Sequence, residues 1–191
     1  MGLEPDPFPA FLKLASRRVL LVGGGAVATA KLGPLLQARA DVVVVAPQVT
    51  DSIARAPVRL RLRAFEPGDL DDVWFVVSAA PADVNRQVSA AAEARRLFVN
   101  AVDDPASASA YAPAVLRRAG VTVAISTAGR APALAGLVRE GLDALLPGDV
   151  EEWTREAARI RGGWRAAGVP MAARRPLLLE ALNRLYGGSH E

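Results

Sequence analysis

The strongest constraint on how this chain can fold is the stretch Arg18-Val-Leu-Leu-Val-Gly-Gly-Gly-Ala-Val-Ala28. A strand-length apolar run ends in three glycines, and the chain restarts in small residues that suit a helix. Gly23, Gly25 and Ala28 match G-x-G-x-x-G/A: the first glycine turns the chain sharply, the second lets a pyrophosphate reach bare backbone, and the small third residue packs helix on strand. The N–H groups opening the helix then face an anion, and the helix dipole favours negative charge there. The same residues also satisfy a tight strand-to-helix turn that holds no ligand. Their place directly after a strand and before a helix favours a dinucleotide.

Strand and helix patterns alternate from residue 18 to residue 100. Val27–Ala38 has helical spacing, with Pro34 expected to kink it or force a restart. Val42–Val45 is a β-branched run of the kind buried on both faces of a parallel sheet. A short helix over Val49–Ala54 precedes Val58–Arg63, whose alternation of apolar residues and arginines predicts a half-exposed strand near an edge. Pro67-Gly68 marks a turn before the buried strand Val73–Ala80. Asp83 is placed to cap a helix over Val84–Arg95, and Leu97–Val99 predicts a fifth strand. Phe8, Phe11, Leu12 and Leu14, in the lead-in at 5–16, are expected to cover a sheet edge. This alternation predicts an α/β fold, a Rossmann-type doubly wound parallel sheet built of right-handed βαβ units.

Beyond residue 100 the pattern changes. Ala110–Leu116 and Val121–Ser126 predict two strands joined by a turn at Arg117–Gly120, followed by helices over Pro132–Leu146, Glu151–Ala166 and Pro176–Leu185. The apolar strands call for a partner surface. The expected organisation is residues 1–104 as the nucleotide domain, 105–146 as strands and a helix, and 147–191 as a helical C-terminal domain.

Composition narrows the chemistry. The 191 residues contain no cysteine and one histidine, His190 near the C-terminus, which argues against thiolate metal sites, cysteine nucleophiles and a Ser-His-Asp triad. No apolar run reaches membrane-spanning length and no signal-like segment opens the sequence, so the expectation is a cytoplasmic protein with no membrane partner. Net charge is +3, with 23 lysines and arginines that are nearly all arginine. No aromatic-interleaved basic run accompanies them, so nucleic acid is not expected as a partner.

Motif position assigns Gly23, Gly25, Ala26 and Val27 to a pyrophosphate, and Pro47 and Gln48 to an adenosine ribose. Ser78, Ala79 and Ala80 end the fourth strand, at the edge where open α/β sheets place ligands. Ala46-Pro47-Gln48 offers neither the acid that marks NAD nor an evident arginine for NADP. Asp103 follows the fifth strand at the same edge. It can serve as a proton acceptor or cap the next turn, with Asp104 beside it. Ser126 and Thr127 read as caps before a helix.

Four pieces in order, Val22–Ala28 with Lys31, Val44–Pro47, Asn100–Pro105 and Ser126–Ala135, resemble the precorrin-2 dehydrogenase family, which includes the N-terminal half of siroheme synthases. The resemblance runs from about Pro7 to the helical tail. Departures are Ala30, Pro81 and Ala128, whereas Asp83 and Asn85 keep the family pattern. It implies a Rossmann domain, a dimerisation segment and a helical C-terminal domain, forming a homodimer. It further implies oxidation of precorrin-2 to sirohydrochlorin with NAD, and in some members insertion of Fe²⁺. Carried onto this sequence, Asp103 is the acidic residue used for dehydrogenation and, in a chelatase, the metal contact. The stretch from Ser126 and Thr127 borders the tetrapyrrole site, Thr127 aligns with a serine that is phosphorylated in some members, and Arg130 and Arg139 suit a polycarboxylate substrate. Two other functions stay open: a bifunctional dehydrogenase and ferrochelatase, and a non-catalytic NAD(H)-sensing module.

Overall fold

Five short strands form one parallel sheet in the order β3-β2-β1-β4-β5: β1 (Arg18–Val22), β2 (Asp41–Val45), β3 (Arg59–Arg61), β4 (Phe75–Ser78) and β5 (Val99–Ala101). The computed structural model describes residues 6–187; His190 lies outside them. The chain divides between Ala112 and Pro113 into two compact units, and the sheet belongs to the first.

The continuous apolar runs are explained by burial on both sides. Leu20, Val22, Val43, Val45 and Val76 pack with Val88 and Ala92 of helix α3 (Ala82–Glu93). Val19, Leu21, Val42, Val44 and Val77 pack with Ala28, Leu32 and Leu35 of α1 (Ala26–Gln37) and with Ile53 of α2 (Asp51–Ala54). Strand order reverses between β1 and β4, which opens a crevice at their carboxyl ends.

Several local expectations change. Helix α1 runs uninterrupted through Pro34, because buried Leu32 and Leu35 hold its last turns on the sheet. Pro81 occupies the N-cap position of α3, so Asp83 lies in the first turn, where its charge complements the helix dipole without capping. The fifth strand begins at Val99, and Phe98 before it is exposed. Among the four apolar lead-in residues expected to cover a sheet edge, Leu14 packs on the core, whereas Phe8, Phe11 and Leu12 are exposed.

Strand β3 is one of the two terminal strands of the sheet, and all three of its residues are exposed. The arginines on this strand and just after it pair with carboxylates. Arg63 makes a bidentate pair with Asp69 at 2.6 and 2.8 Å, Arg61 joins the same carboxylate, and the Glu66 N–H donates to it at 2.9 Å. Burial alone would raise the Asp69 carboxyl, but hydrogen bonds from Arg63, the Glu66 backbone and Arg61 outweigh it and lower the pKa from 3.8 to about 2. A depressed carboxylate stabilises the fold above its unfolded pKa, and that stability is lost as pH falls through the folded value. Asp69→Asn is therefore expected to cost about 2 kcal/mol near pH 7. Urea titrations should show the gap to wild type narrowing from about pH 4 towards pH 2.

In the second unit, β6 (Ala114–Arg118) pairs antiparallel with β7 (Val121–Ile125). The turn is only Ala119-Gly120, at φ 48° and 83°, the left-handed pair that a two-residue hairpin requires. Arg117 and Arg118 thus belong to the strand, and Arg118 ties it to α4 (Pro132–Leu145) through Asp143 at 2.5 Å and to the Leu146 carbonyl at 2.8 Å. Helix α5 (Val150–Ala166) and helix α6 (Met171–Gly187) follow. Pro176 lies inside α6, not at its start; the Arg174 Nε bond to the Val169 carbonyl at 3.0 Å pins the turn that precedes it. Among the described residues of this unit only Leu116, Ala135 and Val150 are buried hydrophobics. Among the described residues, no helix is long and apolar enough to cross a membrane.

Candidate functional site

The three consecutive glycines do three different jobs. Gly23, at φ 116°, approaches β4 so closely that a Cβ would stand 2.2 Å from the Ala79 carbonyl oxygen. Gly24 meets the loop after β2, and a Cβ there would lie 1.9 Å from the Gln48 carbonyl oxygen. Gly25 has nothing within 4 Å of where its Cβ would be. Protein packing therefore requires glycine at 23 and 24, whereas the bare backbone at 25 faces open space.

Hydrogen bonds brace this arrangement. The Gly23 N–H donates to Val45 O and the Thr50 N–H to Gly24 O, each at 2.9 Å, and the Ala79 N–H donates to Val22 O at 2.8 Å. The Thr29 and Thr50 hydroxyls pair at 2.8 Å, and Thr29 also donates to Gly25 O at 3.0 Å. Gly23–Gly25, Pro47-Gln48 and Ala79-Ala80 are thus drawn together at the carboxyl ends of β1, β2 and β4. Pro47 and Gln48 are exposed, as are Gly25, Ala26 and Val27 at the start of α1.

That helix start has no side-chain cap and no acidic residue in its first turn. Its opening N–H groups have the character of an anion site, and the open space over Gly25 admits a phosphate. The residues present fit a dinucleotide. Gly24, Thr29 and Thr50 were not distinguishable by motif, since their roles depend on a loop more than twenty residues away.

Ser78 is fully buried and its hydroxyl donates to Asn85 Oδ1 at 2.6 Å, so it braces the strand end from within. The same oxygen accepts the Ala80 N–H at 3.3 Å. On β5, Asn100 is buried and donates to the Ala110 carbonyl at 3.0 Å. The Val102 N–H bonds Ser78 O at 2.8 Å, holding the chain beside β4 as it enters Asp103. Asp103 is exposed with φ 57°, a conformation that Asp tolerates better than most residues. The capping alternative falls to its neighbour: Asp104 Oδ1 accepts the Ser107 N–H at 3.3 Å at the start of a short 3₁₀ turn. Asp103 makes no side-chain hydrogen bond or ion pair among the described residues.

In the second unit, Ser126 Oγ accepts from the Ala128 N–H at 3.1 Å and Thr127 Oγ1 from the Ala131 N–H at 3.0 Å. Both hydroxyls shape the turn before α4, although the N-cap position itself is Ala131. Ala128 and Gly129 both have positive φ, at 52° and 76°. The Arg130 side chain reaches back to Thr127 O at 3.2 Å, while Arg139 pairs with Glu140 at 3.0 Å; the two arginines have separate partners. No group of three or more His, Cys, Asp or Glu among the described residues is placed to hold a metal ion.

The reversed parallel sheet, with its glycine turn at the central strand, defines a Rossmann-type α/β protein. The chain belongs to the family described as "Putative NAD(P)-binding", whose model matches residues 10–114. It is 41% identical over 175 residues to siroheme synthase 2 of Cronobacter sakazakii, covering 89% of this chain and 38% of that protein. It is 41% identical over 165 residues to siroheme synthase of Photorhabdus laumondii, covering 84% and 34%. This chain therefore spans little more than a third of the length of the curated relatives it matches. Among solved structures it is similar to SirC, precorrin-2 dehydrogenase, at TM-score 0.69 and 27% identity, over 91% of this chain and 88% of that one.

Proposed function

We propose that this chain is a precorrin-2 dehydrogenase, oxidising precorrin-2 to sirohydrochlorin with NAD⁺. The similarity to SirC over nearly the full length of both chains supports the reaction. The observation within this molecule that carries it is Asp103: an exposed carboxylate at the sheet's carboxyl edge, with the capping work done by Asp104. A nucleotide sensor has no need of such an acid.

Bound NAD⁺ supplies the acceptor for a hydride leaving substrate carbon. Backbone N–H groups of Gly25, Ala26 and Val27 would hold its pyrophosphate beside the turn at Gly23, whose own N–H is bonded to Val45 O, while Pro47 and Gln48 would border the adenosine ribose and Ala79-Ala80 would lie beside the cofactor. Asp103 takes the proton that leaves with the hydride, so that each turnover yields one sirohydrochlorin, one NADH and one proton. Ser126, Thr127, Arg130 and Arg139 serve the substrate, the arginines by pairing with its carboxylates.

The same proposal places the protein in the cytoplasm as a homodimer and divides it at 1–104, 105–146 and 147–191. Exposed Leu134, Leu137, Val138 and Leu145 on α4, in a unit with few buried hydrophobics, support pairing of that unit with a second copy. A second activity compatible with this reading is insertion of Fe²⁺ as substrate at Asp103, as the resemblance to siroheme synthases implies.

The test is anaerobic mixing with precorrin-2 and NAD⁺. NADH and sirohydrochlorin are expected in equal amounts. Binding of NAD⁺ with no turnover would rule out the dehydrogenase for this substrate and leave the sensor.

A further inference from the structure

We propose that Asn85 is the positioning residue of the nucleotide site, acting through the Ala79–Ala80 peptide. The proposal rests on the reading of residues 23–27 as a nucleotide loop. Asn85 lies early in α3, is 2% exposed, and belongs to a helix whose N-cap, Pro81, offers no side-chain cap. Its Oδ1 reaches back out of the helix and accepts both the Ser78 hydroxyl and the Ala80 N–H, at 2.6 and 3.3 Å. These two donors bracket Ala79, whose carbonyl oxygen is the atom against which Gly23 is fitted, 2.2 Å from where a Cβ would stand. One amide oxygen therefore fixes the peptide that forms one wall of the glycine turn.

The geometry makes the dependence directional. Without that oxygen, a buried hydroxyl and a loop N–H lose their acceptor, and the loop gains by moving to find others. Any such movement carries the Ala79 carbonyl with it, along the contact with Gly23. Small displacements of this kind are costly where a reacting group must be held in register.

NADH titration followed by its own fluorescence tests this without requiring turnover, with circular dichroism reporting the fold. Asn85→Leu, similar in size but without an acceptor, is expected to raise the NADH Kd about tenfold, the worth of one buried hydrogen bond. Asn85→Asp keeps an accepting oxygen at the same reach and should restore the Kd to within about threefold of wild type. A wild-type Kd in Asn85→Leu overturns the proposal, as does equal weakening by both variants, which marks a packing role alone. If Asn85→Leu does not fold, Ser78→Ala decides: a rise of about threefold is expected, and an unchanged Kd overturns the proposal. Failure of the wild-type protein to bind NADH overturns the nucleotide reading and this proposal together, whereas NADH binding by the wild type with an unchanged Kd in Asn85→Leu overturns the positioning role alone.

Discussion

Gly24→Ala and Gly25→Ala, one residue apart, are expected to fail in opposite ways. At position 24 the added Cβ would stand 1.9 Å from the Gln48 carbonyl oxygen, which is backbone and cannot swing aside. The loops after β1 and β2 must separate, and we expect about 3 kcal/mol lost in urea denaturation whether or not nucleotide is present. At position 25 the Cβ meets nothing within 4 Å, and φ of −83° suits alanine. Stability should be unchanged, while NAD⁺ binding weakens at least about tenfold, because the methyl occupies the space that a pyrophosphate needs. Full NAD⁺ affinity in Gly25→Ala would refute the assignment of that space.

Asp103→Asn is expected to lower kcat for precorrin-2 oxidation by about 10²- to 10⁴-fold, the usual contribution of a positioned base. Asparagine tolerates the left-handed backbone at this position, so the loop, the melting temperature and NAD⁺ affinity should persist. Asp104→Asn is the control. Asparagine also caps, and this variant should keep the wild-type rate. Wild-type turnover by Asp103→Asn would remove that residue from the mechanism.

What the sequence disclosed depended on how local the cause was. β1, β2 and β4 were legible because a strand buried on both faces is apolar along most of its length, and Val42–Val45 shows this without reference to anything else. Gly23 and Gly25 were legible because a sharp turn into a helix leaves a fixed spacing. Gly24 was not, since its requirement comes from Gln48, and neither was the Asn85 contact with Ser78 and Ala80 across a loop. Leu60 and Leu62 mislead for a related reason: alternation signals one buried face, yet an edge strand with short pairing leaves both side chains exposed. At Pro34 and Pro176 the breaker rule describes the local backbone cost, while side-chain packing and hydrogen bonding around the helix decide the outcome. Asp103 and Asp104 are indistinguishable by type and spacing; only the hydrogen bond to Ser107 separates the capping residue from its neighbour.

A parallel sheet that stops at β3 leaves a row of unpaired backbone groups able to template another chain. Here that rim is three residues long and alternates arginine, leucine, arginine, with Arg59 paired to Asp41 and Arg61 to Asp69. Short length and anchored guanidinium groups are how sheet proteins discourage edge-to-edge aggregation. The arginines that break the hydrophobic pattern of this strand therefore put fixed charge along the β3 edge, where an apolar strand would invite pairing with another chain.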